Sequence, residues 1–224
     1  MAGRNNAKNR CERCRMYRPL CICPHIPKIE LQTRVLVLMH WRERKLSTNT
    51  ATLACLALTN SEIRIRGEAD GPAQISLEGH RALLYPTEDS IELNAETALT
   101  LPRPLTLIVP DGSWSQARKV STREAVAKNI PRLKLPPGPP SGFRLRHSPH
   151  ERNLATIEAI ARALGILEGP EIQKKLEALF LMMVERRLFS QGKLPAKDCT
   201  TGIPDAAFEA ARLAGMAGGP KREE

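Results

Sequence analysis

Three stretches of the chain are apolar almost without interruption: TRVLVLMH (33–40), RALLYP (81–86) and LTLIVP (105–110). Short apolar runs rich in β-branched residues are the pattern of strands covered on both faces of a parallel sheet, and proline closes the last two. EIRIRG (62–67) alternates apolar and charged positions, and PRLKL (131–135) runs into a Pro/Gly-rich loop, which predicts two shorter strands. Elsewhere the period is helical. ATLACLALTN (51–60) sets Leu53, Leu56 and Ala57 on one face. RNLATIEAIARALG (152–165) does so with Leu154, Ile157, Ile160, Ala161 and Leu164, with Gly165 as the stop. EIQKKLEALFLMMVERRLF (171–189) repeats the pattern with Ile172, Leu176, Leu179, Phe180 and Met183. A last short helix is predicted from Asp205, an N-cap residue, to about Gly215, before a disordered tail GGPKREE. Strands alternating with helices, without internal repeats, predict an α/β fold: a mainly parallel sheet flanked by helices.

Ligands of such sheets bind at the carboxyl ends of the strands, which directs attention to the loops after His40, Tyr85, Val109 and Leu135. In VPDGSWSQARKV (109–120), Ser113 and Gln116 satisfy the S-x-x-Q capping box, so a helix begins at Trp114. Gly112 lets the backbone turn. Asp111, between strand end and helix start, has no structural task in this reading; it is either a second cap or a general base beside a ligand. Trp114, one of only two tryptophans, is either the first core residue of its helix or a ring set against a ligand. The loop MHWRERKLSTNT (39–50) brings His40, the cations Arg42, Arg44 and Lys45, and a group of helix-capping hydroxyls and amide.

Composition bounds the partners. The 224 residues (24.8 kDa) suffice for one sizeable core with small appendages. A net charge of +10, from 34 Lys+Arg against 24 Asp+Glu, favours a polyanion such as RNA, although charge alone leaves an ordinary basic protein open. The polar, basic start MAGRNNAKNR and the lack of any 18-residue apolar run predict neither a membrane span nor a secretory signal, hence a cytoplasmic protein with reduced thiols. In that setting CERCRMYRPLCIC, a CxxC and a CxC six residues apart, predicts a Zn²⁺ knuckle on Cys11, Cys14, Cys21 and Cys23, with free thiols or a redox pair as the alternatives. His25 is a substitute ligand or a surface residue. Cys55 and Cys199 read as small packing residues. The expected organisation is a knuckle and connector over residues 1–30, an α/β domain over 31–216 and a tail over 217–224. There is no GxxxxGK[ST], no GxGxxG, no nucleophile elbow and no HExxH. The oligomeric state stays open, with a monomer the simplest case, because the Glu171–Phe189 helix is better used in core packing than in dimerisation.

Four blocks, in order from Cys11 to Leu164, resemble the DTW-domain family of tRNA-uridine aminocarboxypropyltransferases, within the SPOUT class of knotted RNA-modifying enzymes. They are CERCRMYRPLCICPHIP, MHWRERKLSTNTATL, LIVPDGSWSQARK and RLRHSPHERNLATIEAIARAL. Ser113 stands where the family signature has Thr, and Ala155 stands where the last block has Ser before Thr156. The resemblance implies a SPOUT-like sheet with a C-terminal knot. It also implies transfer of the 3-amino-3-carboxypropyl group of S-adenosylmethionine to N3 of a tRNA uridine, at position 47 of the variable loop, with release of methylthioadenosine. Asp111 would be the base for N3–H. A solvated aspartate at pKa ~3.9 is a poor one, so burial would have to raise it. Leu84, Tyr85 and Pro86, with Pro110 and Gly112, would hold adenosine, Trp114 and Thr156 would line the donor, and Arg146 would pair with its carboxylate. His40, Arg42, Arg44, Lys45, Arg118, Lys119 and Arg144 would contact RNA, with Arg118 and Lys119 turned outward onto phosphates. The rival readings are an S-adenosylmethionine-dependent RNA methyltransferase, a non-catalytic zinc-knuckle RNA-binding protein, and a relative acting on ribosomal RNA.

Overall fold

The doubly apolar runs form the middle of one sheet. The structure, a computed structural model, describes residues 9–67, 78–145 and 153–213. The order of elements is β1 (Arg34–His40), α1 (Thr50–Ala57), β2 (Ser61–Arg66), β3 (His80–Leu84), β4 (Ile91–Glu92) and α2 (Ala95–Thr100), then β5 (Leu105–Asp111), α3 (Trp114–Arg123), β6 (Arg132–Lys134), α4 (Thr156–Leu167), α5 (Pro170–Ser190) and α6 (Asp205–Leu213). The strands lie in the order β2-β1-β5-β3-β6-β4, and every pairing is parallel. Val35, Leu36 and Val37 of β1 and Leu107, Ile108 and Val109 of β5 are all buried, so both faces of the central strands are covered, as continuous apolar runs require. Register fixes which residues share an end. Met39 pairs with Asp111 across β1–β5 and Leu83 with Ile108 across β3–β5, so His40, Tyr85 and Asp111 all emerge at the carboxyl edge.

Several boundaries differ from the expectation, each for a local reason. In α1 the buried residues are Thr50, Ala51, Leu53, Ala54 and Ala57, while Leu56 is only half-buried. In α4 the helix starts at Thr156, leaving Leu154 outside, and it runs through Gly165 to Leu167. Gly165 is not a stop. A Cβ there would meet Gln173 Oε1 and lie 2.9 Å from Gln173 Cβ, so this glycine allows the start of α5 to pack close to α4. The turn falls instead at Gly169, whose φ of +121° suits glycine. Gly165→Ala should therefore destabilise the protein by about 1–3 kcal/mol despite alanine's better helix propensity, because overpacking outweighs it. A lower midpoint in urea unfolding would show this, and an unchanged or higher one would refute it. The sequence pattern passed over β4 and α2. Both are short, and no residue of α2 is buried, so neither carries a periodic apolar signal; α2 is held by the Asn94/Thr97 capping box.

The chain divides into two units. One, Pro27–Ser141 with Arg152–Glu177, contains the whole sheet; the other comprises Met1–Ile26, Gly142–Glu151 and Ala178–Glu224. Within the second, the last turns of α5 are buried nearly all round, charged residues included. The Glu185 carboxylate accepts four hydrogen bonds, from the backbone N–H and the hydroxyl of both Thr200 and Thr201. Burial opposes its ionisation, but these donors outweigh burial and hold its pKa below the ordinary glutamate value. The tail after Leu213 lies outside the described residues.

Candidate functional site

The junction after β5 is built as its residues predict. Ser113 is the N-cap of α3: its Oγ accepts from the N–H of Gln116 (3.3 Å), and Gln116 Oε1 accepts from the N–H of Ser113 (2.7 Å). Gly112 has φ +150°, and a Cβ there would lie 3.1 Å from Gln116 Cβ, so the turn requires glycine. Gln116 has a second task, since its Nε2 lies 3.1 Å from His40 Nδ1, which also accepts from the N–H of Arg42 (3.3 Å). Two donors at Nδ1 place the imidazole proton on Nε2. Burial, then the charges of Arg66, Arg42 and Lys119, hold the His40 pKa below its ordinary value, so the ring is neutral near pH 7. Arg66 closes the clasp by donating to Glu124 Oε1 (2.7 Å) and to the carbonyl of Gln116 (3.3 Å). His40 thus joins the end of β1 to the start of α3.

Asp111 ends β5 and is 6% exposed. Both carboxylate oxygens are engaged: Asn49 Nδ2 donates to Oδ2 (2.7 Å) and Thr156 Oγ1 donates to Oδ1 (2.6 Å). Asn49 is also the N-cap of α1, accepting from the N–H of Thr52 (2.7 Å), and Thr156 is the first residue of α4. The expectation that Asp111 lacks a structural task is thereby corrected. Its carboxylate fastens the starts of α1 and α4 to the end of β5. Asn49, read in the sequence only as a helix-capping amide, is the residue whose place at the site sequence reasoning missed. At Ala155 the N-cap of α4 offers no side-chain acceptor; Glu158 supplies the other half of a box by accepting from the N–H of Ala155 (2.7 Å).

Around Asp111 the strand ends bring together much of the predicted set. Leu84 and Tyr85 are buried, Pro110 is half-buried, and Pro86 and Gly112 are exposed. Trp114 is 50% exposed, so it is not a core residue, and its ring lies 6.1 Å from that of Tyr85 at 48°. Burial raises the Tyr85 phenol pKa, opposed by the charge of Arg118. Arg42, Arg44, Lys45, Arg118 and Lys119 are all exposed, as predicted for cations turned outward. Arg144, also exposed, belongs to the other unit, and Arg146 lies outside the described residues. Cys55 is half-buried with its thiol pushed up to about 11, first by burial and, more weakly, by Asp111, with Ser61 opposing; it is a neutral packing group.

In the other unit the four knuckle thiols lie within 4.8 Å of one another, with Cys11–Cys23 and Cys14–Cys21 each at 3.6 Å. A tetrahedral Zn²⁺ with bonds of ~2.3 Å separates its sulfurs by about 3.8 Å, so the donor set fits that ion. His25 stands apart from this cluster, its Nε2 3.5 Å from Arg186. Arg186 (3% exposed) donates to the carbonyl of Cys21 (2.8 Å), and Arg187 (6% exposed) donates to that of Arg15 (3.2 Å). Burial lowers both guanidinium pKa values, that of Arg187 to about 10, and the nearby cysteines oppose the shift. Arg186, buried beside the four thiols with its Nε unpartnered among the described residues, would gain a countercharge from a four-thiolate Zn²⁺ centre of net charge about −2.

The DTW-domain model matches residues 8–188. The chain belongs to the DTW-domain family. Among curated relatives, tRNA-uridine aminocarboxypropyltransferase 2 of Drosophila melanogaster is 30% identical over 184 residues, covering 76% of this chain and 72% of its own. The macaque protein of the same name, from Macaca fascicularis, is 29% identical, and the match spans 56% of its length. tRNA-uridine aminocarboxypropyltransferase A of Arabidopsis thaliana is 29% identical over 209 residues, with 78% and 79% coverage. The solved structure of the SAM-dependent rRNA:acp-transferase Tsr3 from Vulcanisaeta distributa overlays with a TM-score of 0.46 at 20% identity, covering 81% of this chain and 89% of that one. Within the DTW domain, the junction that carries Asp111, Gly112 and Trp114 meets Asn49 and Thr156 from two other motif blocks. Three segments separated in sequence therefore converge on one carboxylate.

Proposed function

We propose that this DTW-domain protein is a tRNA-uridine aminocarboxypropyltransferase, transferring the 3-amino-3-carboxypropyl group of S-adenosylmethionine to N3 of a tRNA uridine, position 47 of the variable loop, and releasing methylthioadenosine. Family membership and the names of the fly and plant relatives support it. The observation that carries it to the level of residues is the buried Asp111 at the carboxyl edge, with Asn49 on one oxygen and Thr156 on the other. A carboxylate oxygen has a second lone pair, so one held in place this way can still take a proton. Asp111 accepts the N3 proton, N3 forms its bond to the γ-carbon of the donor's amino-acid arm, and that carbon's bond to sulfur breaks, leaving a neutral thioether. Geometry decides the product, because in-line attack at the methyl carbon would give methylation.

In this reading Leu84, Tyr85, Pro86, Pro110 and Gly112 hold adenosine, Trp114 covers the donor, Arg146 pairs with its carboxylate, and Thr156 keeps Asp111 aimed. His40, Arg42, Arg44, Lys45, Arg118, Lys119 and Arg144 meet the RNA. Cys11, Cys14, Cys21 and Cys23 hold a structural Zn²⁺ in a reducing, cytoplasmic setting. The knot of the SPOUT class belongs to the same proposal. Among the described residues no helix is long and apolar enough to cross a membrane. The test is donor labelled separately in the methyl group and in the methionine backbone, incubated with tRNA and followed by mass spectrometry of the nucleosides. Backbone label in a uridine is the expected result; methyl label alone would make the protein a methyltransferase and overturn the proposal.

A further inference from the structure

One residue at the carboxyl edge has no task in the reading above. Trp41, the other of the two tryptophans, follows directly on β1 and keeps 42% of its surface exposed. An indole left in water is not explained by core packing, and here its position is fixed. The backbone N–H of Trp41 donates to the carbonyl of Arg66 (3.0 Å), its backbone carbonyl accepts from the N–H of Arg44 (3.3 Å), and its ring centroid lies 5.9 Å from that of His40. At Gly67 a Cβ would come within 3.2 Å of Trp41 Cδ1, so the end of β2 leaves room for the ring.

The surroundings are cationic and available. The guanidinium of Arg42 lies 5.2 Å from the indole centroid. Among the described residues neither Arg42 nor Lys45 forms an ion pair, and neither does Lys119. An exposed aromatic ring interleaved with unpaired cations is the combination that binds single-stranded nucleic acid, the ring taking a base and the cations its phosphates. Location adds the next step. Met39 is level with Asp111, and Trp41 lies two residues beyond it, about 7 Å farther out at the usual rise of a strand.

We infer that Trp41 is the stacking platform for the unpaired base next to the uridine presented to Asp111, with Arg42 moving from the indole to the adjoining phosphate. The inference rests on the tRNA reading. N3 lies on the Watson–Crick edge, so the uridine must leave its pairing and stacking to react, and its neighbour then loses a stacking partner. Trp41 replaces that partner.

The test uses the full chain and an unmodified tRNA transcript with a variable-loop uridine. Trp41→Ala should weaken tRNA binding by about 5- to 150-fold, and Trp41→Phe should restore most of it. The dependence of affinity on salt should be unchanged, since stacking releases no counterions, whereas Arg42→Ala should lower it. Donor affinity should stay within about twofold for both Trp41 variants, a readout that general misfolding would not spare. In Trp114→Phe, which leaves Trp41 as the sole indole, tRNA should quench the tryptophan fluorescence. Wild-type tRNA affinity in Trp41→Ala, or a loss confined to donor binding, overturns the inference. Failure of the function proposal is seen separately, as wild-type protein that binds tRNA but moves no backbone label.

Discussion

Replacing Asp111 with alanine is expected to lower aminocarboxypropyl transfer by about 10²- to 10⁴-fold at saturating substrates, the range that a positioned base contributes, while tRNA affinity stays within about threefold. The carboxylate also binds Asn49 and Thr156, so the variant loses stability, at up to about 1–3 kcal/mol for each part-buried donor left without an acceptor. The two effects separate by comparison with Thr156→Val, which takes away one donor and leaves the carboxylate. That variant should melt lower than the wild type yet keep transfer within about tenfold. The measurement pairs a thermal melt with labelled transfer for each variant. A folded Asp111→Ala protein that transfers within tenfold of the wild type would remove Asp111 from the chemistry and leave it only as the fastener of α1 and α4.

The second large effect is expected from the knuckle. Removing zinc from the knuckle with a chelator at neutral pH should leave Arg186 buried beside cysteines whose Cys21 and Cys23 thiols are pushed up by burial, with that of Cys11 lowered, to about 6, chiefly by the backbone N–H of Cys14; the loss is about 3–5 kcal/mol by comparison with broken buried charge pairs. For a chain of this length that is on the order of 10 °C in melting temperature. Purified protein should contain one zinc per chain, and Cys14→Ser should reproduce the chelated melt. Arg186→Met offers an independent check. It should lower the melting temperature of the metal-loaded protein but raise or leave unchanged that of the metal-free one, where the guanidinium has lost the countercharge of the centre. Metal-free protein as purified, with a melt insensitive to chelator, would end the zinc reading.

What the sequence made legible was local. The start of α3 at Trp114 was readable because the capping box lies within four residues, and the central strands because burial on both faces leaves continuous apolar runs. The partners of Asp111 were not. Asn49 and Thr156 lie 62 and 45 positions away, and no periodicity in one segment reports a hydrogen bond to another. Gly165 misled for a related reason, since its φ and its neighbours decide whether a glycine ends a helix or admits a packed side chain, and Gln173 belongs to the next helix. The helical pattern of residues 171–189 gave Arg186 and Arg187 no role. Their burial depends on carbonyls of the knuckle, more than 160 positions upstream.

The strand order has a consequence during synthesis. β5 lies between β1 and β3, so the middle of the sheet is completed by a segment made after both of its neighbours. While residues up to about 104 have emerged, β1 has only β2 beside it, and β3 has no partner at all, because β6 comes later still. Leu36, Val37 and Leu83, wholly buried in the finished protein, face water in the meantime on strands with open edges. Such a nascent chain is at its most aggregation-prone just before the segment bearing Asp111 arrives. The strand that delivers the candidate base is therefore also the one that joins the two halves of the sheet.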